Sequence, residues 1–170
     1  MTETKKLVVT TPGDREIVLK RVFDAPRRLV FEAYTKPEYL KRWLLGPPGW
    51  EMVVCVAATK VGDRYRYEWR NAEGTQFGMG GVCREFLRPE RIVCTELMDG
   101  YASESLVTTI LVEEHSKTTL TTTCLYESRE VRDMVVKSGM ERGVEASYNR
   151  LEELFTAGQV QENSQGASAS

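Results

Sequence analysis

Between residues 50 and 127, six segments of alternating apolar and polar character follow one another with no room for a crossover helix between them. They run over 50–58, 63–70, 77–87, 91–98, 105–114 and 118–127. The connections "KVGD", "NAEG", "RPE", "MDGY" and "HSK" supply the glycine, proline and polar residues that tight turns use. Parallel strands need a dozen or more connecting residues, so these short turns dictate a consecutive antiparallel meander.

The flanks complete one domain. Residues 15–24, "REIVLKRVFD", read as a further strand, with Ile17, Leu19 and Phe23 on one face and Val18 and Val22 on the other. "APRRLVFEAYT" and "KPEYLKRWLL" each place a proline ahead of apolar residues at helical spacing, and "LGPPGW" stops the second of these two short helices. Beyond the meander, Ser128 is a natural N-cap. Helical spacing then resumes through Val131, Met134 and Val135, and again through Met140, Val144, Tyr148, Leu151 and Phe155. The expected organisation is an N-terminal arm over 1–14, a folded domain over 15–156, and a disordered tail over 157–170, whose composition is small and polar.

Seven strands at about 4.8 Å spacing span roughly 30 Å, whereas a helix with its side chains is about 10–12 Å across. One C-terminal helix cannot cover such a sheet if it is flat. The sheet must curl, and Gly78, Gly80 and Gly81 in "FGMGG" suit sharp strand bending. A curled sheet around one helix leaves concave surface that the helix does not fill.

The residues that would line that surface can be read from strand alternation. In "DRYRYEWRN", Tyr65, Tyr67 and Trp69 share one face, opposite Arg64, Arg66, Glu68 and Arg70. Three large rings bearing polar handles serve either as core or as the wall of an apolar pocket. Met79 among the glycines, Met140 and Val144 on the last helix, and Trp43 beside the "LLGPPG" turn complete the candidate ligand-binding set. Trp50, on the far side of that turn, is a cap or a lid. Glu85 and Glu96 are the acid/base candidates: an inward carboxylate without a partner would hold its proton to higher pH, with Arg21 and Arg66 as conceivable partners.

Composition removes other classes. The net charge is −2 with both signs interspersed, which gives no basic stripe for nucleic acid. The chain contains no apolar run long enough to span a bilayer, and its opening "MTETKKLVVTTPGD" lacks the apolar core of a secretory signal, so no membrane insertion and a cytoplasmic location are expected. Cys55, Cys83, Cys94 and Cys124 form no C-x-x-C pair and read as buried thiols. With His115 the sole histidine, the ligands for a metal centre are too few, and no cofactor is expected.

The stretches "IVLKRVFDAPRRLVFEAYTKPEYLKRW", "GDRYRYEWRNAEG", "GVCREFLRPERIVCTE" and "SGMERGVEASYNRLEELF" resemble the SRPBCC (START-like, Bet v 1-like) superfamily. Within it, they are most similar to the bacterial branch related to the C-terminal domain of the Hsp90 ATPase activator. The resemblance covers about residues 15–156. It implies an α+β helix-grip fold: a seven-stranded curved antiparallel sheet wrapped around a long C-terminal helix, with two short helices after the first strand and an internal pocket for apolar ligands. The segment "MDGYASES" is shorter than the loop of many similar proteins, which gives the pocket mouth its own shape.

Three functions follow as alternatives. The leading one is a binding module for a small apolar or aromatic molecule, lipid-like or polyketide-like, working as monomer or homodimer. The second is a cofactor-independent cyclase or dehydratase using the same pocket. The third is an Hsp90-associated protein-binding domain, which would instead need an exposed apolar patch.

Overall fold

A computed structural model describes residues 6–162. The elements are β1 (Val8–Thr10), β2 (Glu16–Phe23), α1 (Arg27–Thr35), α2 (Pro37–Trp43), β3 (Trp50–Val56), β4 (Arg64–Asn71), β5 (Gln76–Leu87), β6 (Arg91–Met98), β7 (Ser105–Glu114), β8 (Lys117–Leu125), α3 (Arg129–Lys137) and α4 (Met140–Thr156). The strands form one antiparallel sheet in the order β1-β2-β8-β7-β6-β5-β4-β3, so the meander from β3 to β8 appears as the turn lengths require. The sheet is open, with β1 and β3 as its edges. No helix among the described residues is long and apolar enough to cross a membrane.

The expected strand count is corrected from seven to eight. Residues 8–10 lie in what reads as an arm, yet they pair with β2 in the register Val9↔Leu19. The physical reason is local. Val8 and Val9 are β-branched, Gly13 takes φ 63° in the turn that reverses the chain, and Leu7 is buried in the core.

Four helices cover one face. Helix α1 is capped by Pro26, α2 carries Pro37 in its first turn, and α3 begins at Ser128, whose hydroxyl accepts from the Val131 amide at 3.2 Å. Helix α4 packs on β2: Tyr148 and Phe155 meet the Phe23 ring edge-on at 5.5 and 5.9 Å, and Arg21 donates to Asn149 Oδ1 at 2.7 Å. The core lies at this end of the sheet, among Ile17, Phe23, Val30, Phe31, Leu120 and Leu151.

The sheet deforms at two places. In β5, a Cβ on Gly81 would sit 1.9 Å from the Thr95 carbonyl oxygen of β6, so only glycine permits this approach. Tyr65 stands opposite Gly81, and its hydroxyl reaches past β5 to donate to that same carbonyl at 2.7 Å. In β3, a register shift between Met52 and Val54 leaves one residue unpaired and bends the edge.

The expectation of disorder from residue 157 is also corrected for 157–162; residues 163–170 lie outside the described residues. Gly158, at φ 67°, ends α4 and turns the chain back, and Val160 is only 5% exposed against the core. Tyr39 bonds Gln161, Arg42 bonds Gln159, and Arg28 pairs with Glu162 at 3.0 Å. Composition conceals this docking because a single valine supplies the apolar anchor. Ending the chain at Gly158 should therefore cost roughly 1.5–3 kcal/mol, the value of one buried aliphatic side chain. Chemical denaturation checks it, and an unchanged midpoint would show that the segment contributes nothing.

Candidate functional site

The face of the sheet left uncovered by α4 bounds a cavity of about 590 Å³. It is walled by inward residues of β2 and β4 to β8, by the loop after α2, and by the start of α4. The alternation of "DRYRYEWRN" holds. Tyr65, Tyr67 and Trp69 face inward, while Arg66 turns outward to Glu68 and Asp99. With Phe77 they form one aromatic wall, with successive centroids 5.3, 6.2 and 6.0 Å apart.

The polar handles on that wall differ in use. Tyr65 spends its hydroxyl on the Thr95 carbonyl, and the Trp69 indole N–H donates to the Leu44 carbonyl at 2.7 Å. The Trp69 bond anchors the 44–47 loop to β4. The same loop is tied to α4, since the Gly46 amide donates to Ser147 Oγ at 2.9 Å and the Gly46 carbonyl accepts from Arg150 at 2.7 Å. The Tyr67 hydroxyl, by contrast, has no hydrogen-bond partner among the described residues and faces the cavity. Burial pushes the Tyr65 and Tyr67 phenols well above their ordinary value, so both stay protonated.

Met79, Met140 and Val144 line the cavity, and so do Trp50 and the loop residues Gly46 and Pro47. Trp43 does not. Its ring is fully buried between Tyr34 and Tyr148, and its indole N–H donates to the Ala33 carbonyl at 2.8 Å, which makes it a core residue. It is the last residue of α2 and packs toward α1 and α4, whereas Leu40 of the same helix and Leu44 to Pro47 after it line the cavity.

The two glutamates separate. Glu85 is exposed and paired with Arg91 at 2.9 Å. Simple alternation from Met79 would turn position 85 inward, but a register shift between Cys83 and Glu85 inverts the parity and brings Phe86 to the cavity instead. Glu96 points in from β6, flanked on the same face by Cys94 and Met98. Among the described residues it is the only carboxylate in the lining, and none of them there is a lysine, arginine or histidine. Its carboxyl has no hydrogen-bond partner among the described residues, and burial pushes it up to about 7. Neither arginine proposed as a partner reaches it, because Arg21 bonds Asn149 beneath α4 and Arg66 lies on the outer face.

A second polar group escaped the sequence reading. Tyr34 of α1 and Tyr148 of α4 share a hydrogen bond of 3.0 Å, and Thr109 and Thr122 approach each other at 3.4 Å, all within the cavity lining. The two tyrosines occupy helix positions indistinguishable from core aromatics. The available signal was the inner face of β8, where threonines alternate with Leu120 and Cys124.

This arrangement can hold a mainly apolar body, orient it through the Tyr67 hydroxyl, and present one carboxyl able to gain or lose a proton near neutrality.

A family model described as Activator of Hsp90 ATPase homolog 1-like protein matches residues 24–156. No curated protein matches the chain. Among solved structures, a protein from Rhodobacter sphaeroides is 29% identical, covers 89% of this chain and 99% of its own, and superposes with a TM-score of 0.85. One from Chromobacterium violaceum is 28% identical over 82% of this chain and 96% of its own, with a TM-score of 0.70. An AHSA1-like protein from Aeromonas hydrophila, 16% identical over 85% of this chain and 94% of its own with a TM-score of 0.68, shares the fold. With the family match running from the end of β2 to the end of α4, and with a fold consistent with the SRPBCC, Bet v 1-like superfamily, the chain belongs to the Activator of Hsp90 ATPase homolog 1-like family.

Proposed function

We propose that this protein binds a small, largely apolar or aromatic molecule inside the cavity, which the curved sheet and α4 enclose in a helix-grip arrangement. The observation that carries this reading is the pairing of an apolar interior of ligand size with two inward polar groups, Tyr67 and Glu96, that no described residue satisfies. A protein selected only for stability would fill such a space or pair such groups.

The cost of keeping Glu96 supports the same reading. Its carboxyl ordinarily titrates near 4.5 but is held at about 7 in the fold. Between those values the folded protein retains a proton that the unfolded chain has released. Stability therefore falls as pH rises from 4.5 through 7, and above 7 the loss reaches about 3 kcal/mol. Cavities carry such groups when the group has a task.

One observation favours a second reading. A carboxyl poised near neutrality is suited to general acid or base work, so a cofactor-independent cyclase or dehydratase would use Glu96 as its proton carrier.

Native mass spectrometry of freshly purified protein tests binding directly. A small molecule should co-purify, and Val144→Trp, which fills the space beside α4, should exclude it while the fold persists. Protein that is empty, and that accepts no apolar compound, would remove the proposal. With the released compound, Tyr67→Phe should weaken binding by about 0.5–1.5 kcal/mol without lowering the melting temperature, since only an unshared hydroxyl is lost. Trp69→Ala should cost more in both affinity and stability, because the Leu44 anchor disappears with the ring.

Glu96→Gln should stabilise the protein by about 3 kcal/mol at pH 8, with the gap closing by about pH 4 as the wild-type carboxyl and its unfolded counterpart both become protonated. Denaturation measured across pH reads this out; a gap independent of pH would mean that Glu96 is ordinarily solvated.

A further inference from the structure

Resting on the cavity-binding reading, we propose that the ligand carries one protonated amine on its apolar body, with the ammonium seated against Glu96 and the ring faces beside it. Charge complementarity leads to this class. Among the described residues, the cavity lining holds one carboxyl and no basic side chain. A ligand carboxylate would meet no cation and would repel Glu96 once ionised. A neutral hydrocarbon would leave a desolvated carboxyl unpaired. An ammonium alone turns that burden into attraction, because a buried carboxylate interacts strongly with an opposite charge placed beside it.

The surroundings suit a cation in other respects. Tyr65, Tyr67 and Tyr126 line the same cavity as Glu96, and aromatic rings attract positive charge to their faces. An ammonium has up to three N–H donors and accepts nothing. Glu96 offers carboxylate oxygens, and the free Tyr67 hydroxyl offers a further acceptor. Phe77, Met79, Met140 and Val144 leave hydrocarbon surface for the rest of the molecule. The requirement is thus one amine and no anionic group.

Among the described residues, Glu96 is also the one group there pushed to titrate near neutral pH. The other titratable side chains of the lining, among the described residues, are the phenols of Tyr34 from α1, of Tyr65 and Tyr67 from β4, of Tyr101, of Tyr126 after β8 and of Tyr148 from α4, together with the thiols of Cys94 from β6 and Cys124 from β8. Burial pushes the phenols of Tyr34, Tyr65, Tyr67, Tyr126 and Tyr148 up and both thiols to about 12. Binding of an ammonium therefore reports on one titration. An amine meets a ready carboxylate above pH 7 and must displace a proton below it.

Three probes of one shape test this: 1-naphthylmethylamine, 1-naphthylmethanol and 1-naphthoate, titrated calorimetrically into protein freed of co-purifying compounds. At pH 8 the amine should bind at least about tenfold more tightly than the alcohol, with the carboxylate weakest. Below pH 7 the amine's affinity should fall by about tenfold per pH unit while the alcohol's stays level. Glu96→Gln should abolish both the preference for the amine over the alcohol and the pH dependence of amine binding. An alcohol that binds as tightly as the amine at pH 8, a preference that survives Glu96→Gln, or a co-purified ligand without basic nitrogen would each overturn the amine proposal while leaving the cavity reading standing. Failure of all three probes in a protein that also carries no co-purified ligand would overturn both.

Discussion

A sheet wider than the helix that covers it governs this structure. Eight strands at about 4.8 Å present a face more than three times the width of one helix. Helices α1, α3 and α4 cover the end built on β2, β8 and β7, and there the interior is a conventional aliphatic and aromatic core, while α2 meets the sheet at β3. Over β4 to β6 no helix is left to do so. The sheet bends toward α4 instead, helped by Gly81, whose missing side chain lets Tyr65 reach the β6 backbone. The cavity is what remains between a curved wall and a helix that fills only part of it.

That origin explains which features could be read from sequence. Strand alternation is a local property, so the inward face of β4 follows from the order of residues 64–70 and from nothing else. Turn chemistry is equally local and fixes the meander. Glu85 shows where such reasoning stops, because one bulge in β5 reverses every side chain beyond it and is not written in hydrophobic pattern. Trp43 shows another limit: a ring at the edge of a glycine-proline turn is equally suited to core and wall, and only packing of α2 on α1 and α4 decides. Val160 is a third, where a single apolar residue in a polar segment finds a site formed by distant parts of the chain. The fold was legible because it is built from repeated local signals, whereas the site depends on a few non-local outcomes.

Glu96 concentrates the tension between stability and use. The strand could carry glutamine or leucine at this place and be more stable above pH 7, since no described residue compensates the buried charge. Its neighbours are held neutral by the same desolvation, so the cavity has one adjustable charge in an otherwise fixed setting. Any ligand that pairs with that charge is bound more strongly because the protein alone cannot satisfy it.

The edges of the sheet carry a separate consequence, for how copies of the chain meet. Strand β1 offers only three residues, and β3 is broken by its bulge at Met52 to Val54, so neither presents the long, straight row of free amides and carbonyls that templates another strand. An open sheet of this breadth would otherwise invite extension from molecule to molecule. Polymerisation through backbone pairing is blocked at both ends, which lets the protein keep an unclosed sheet without the aggregation hazard that usually accompanies one.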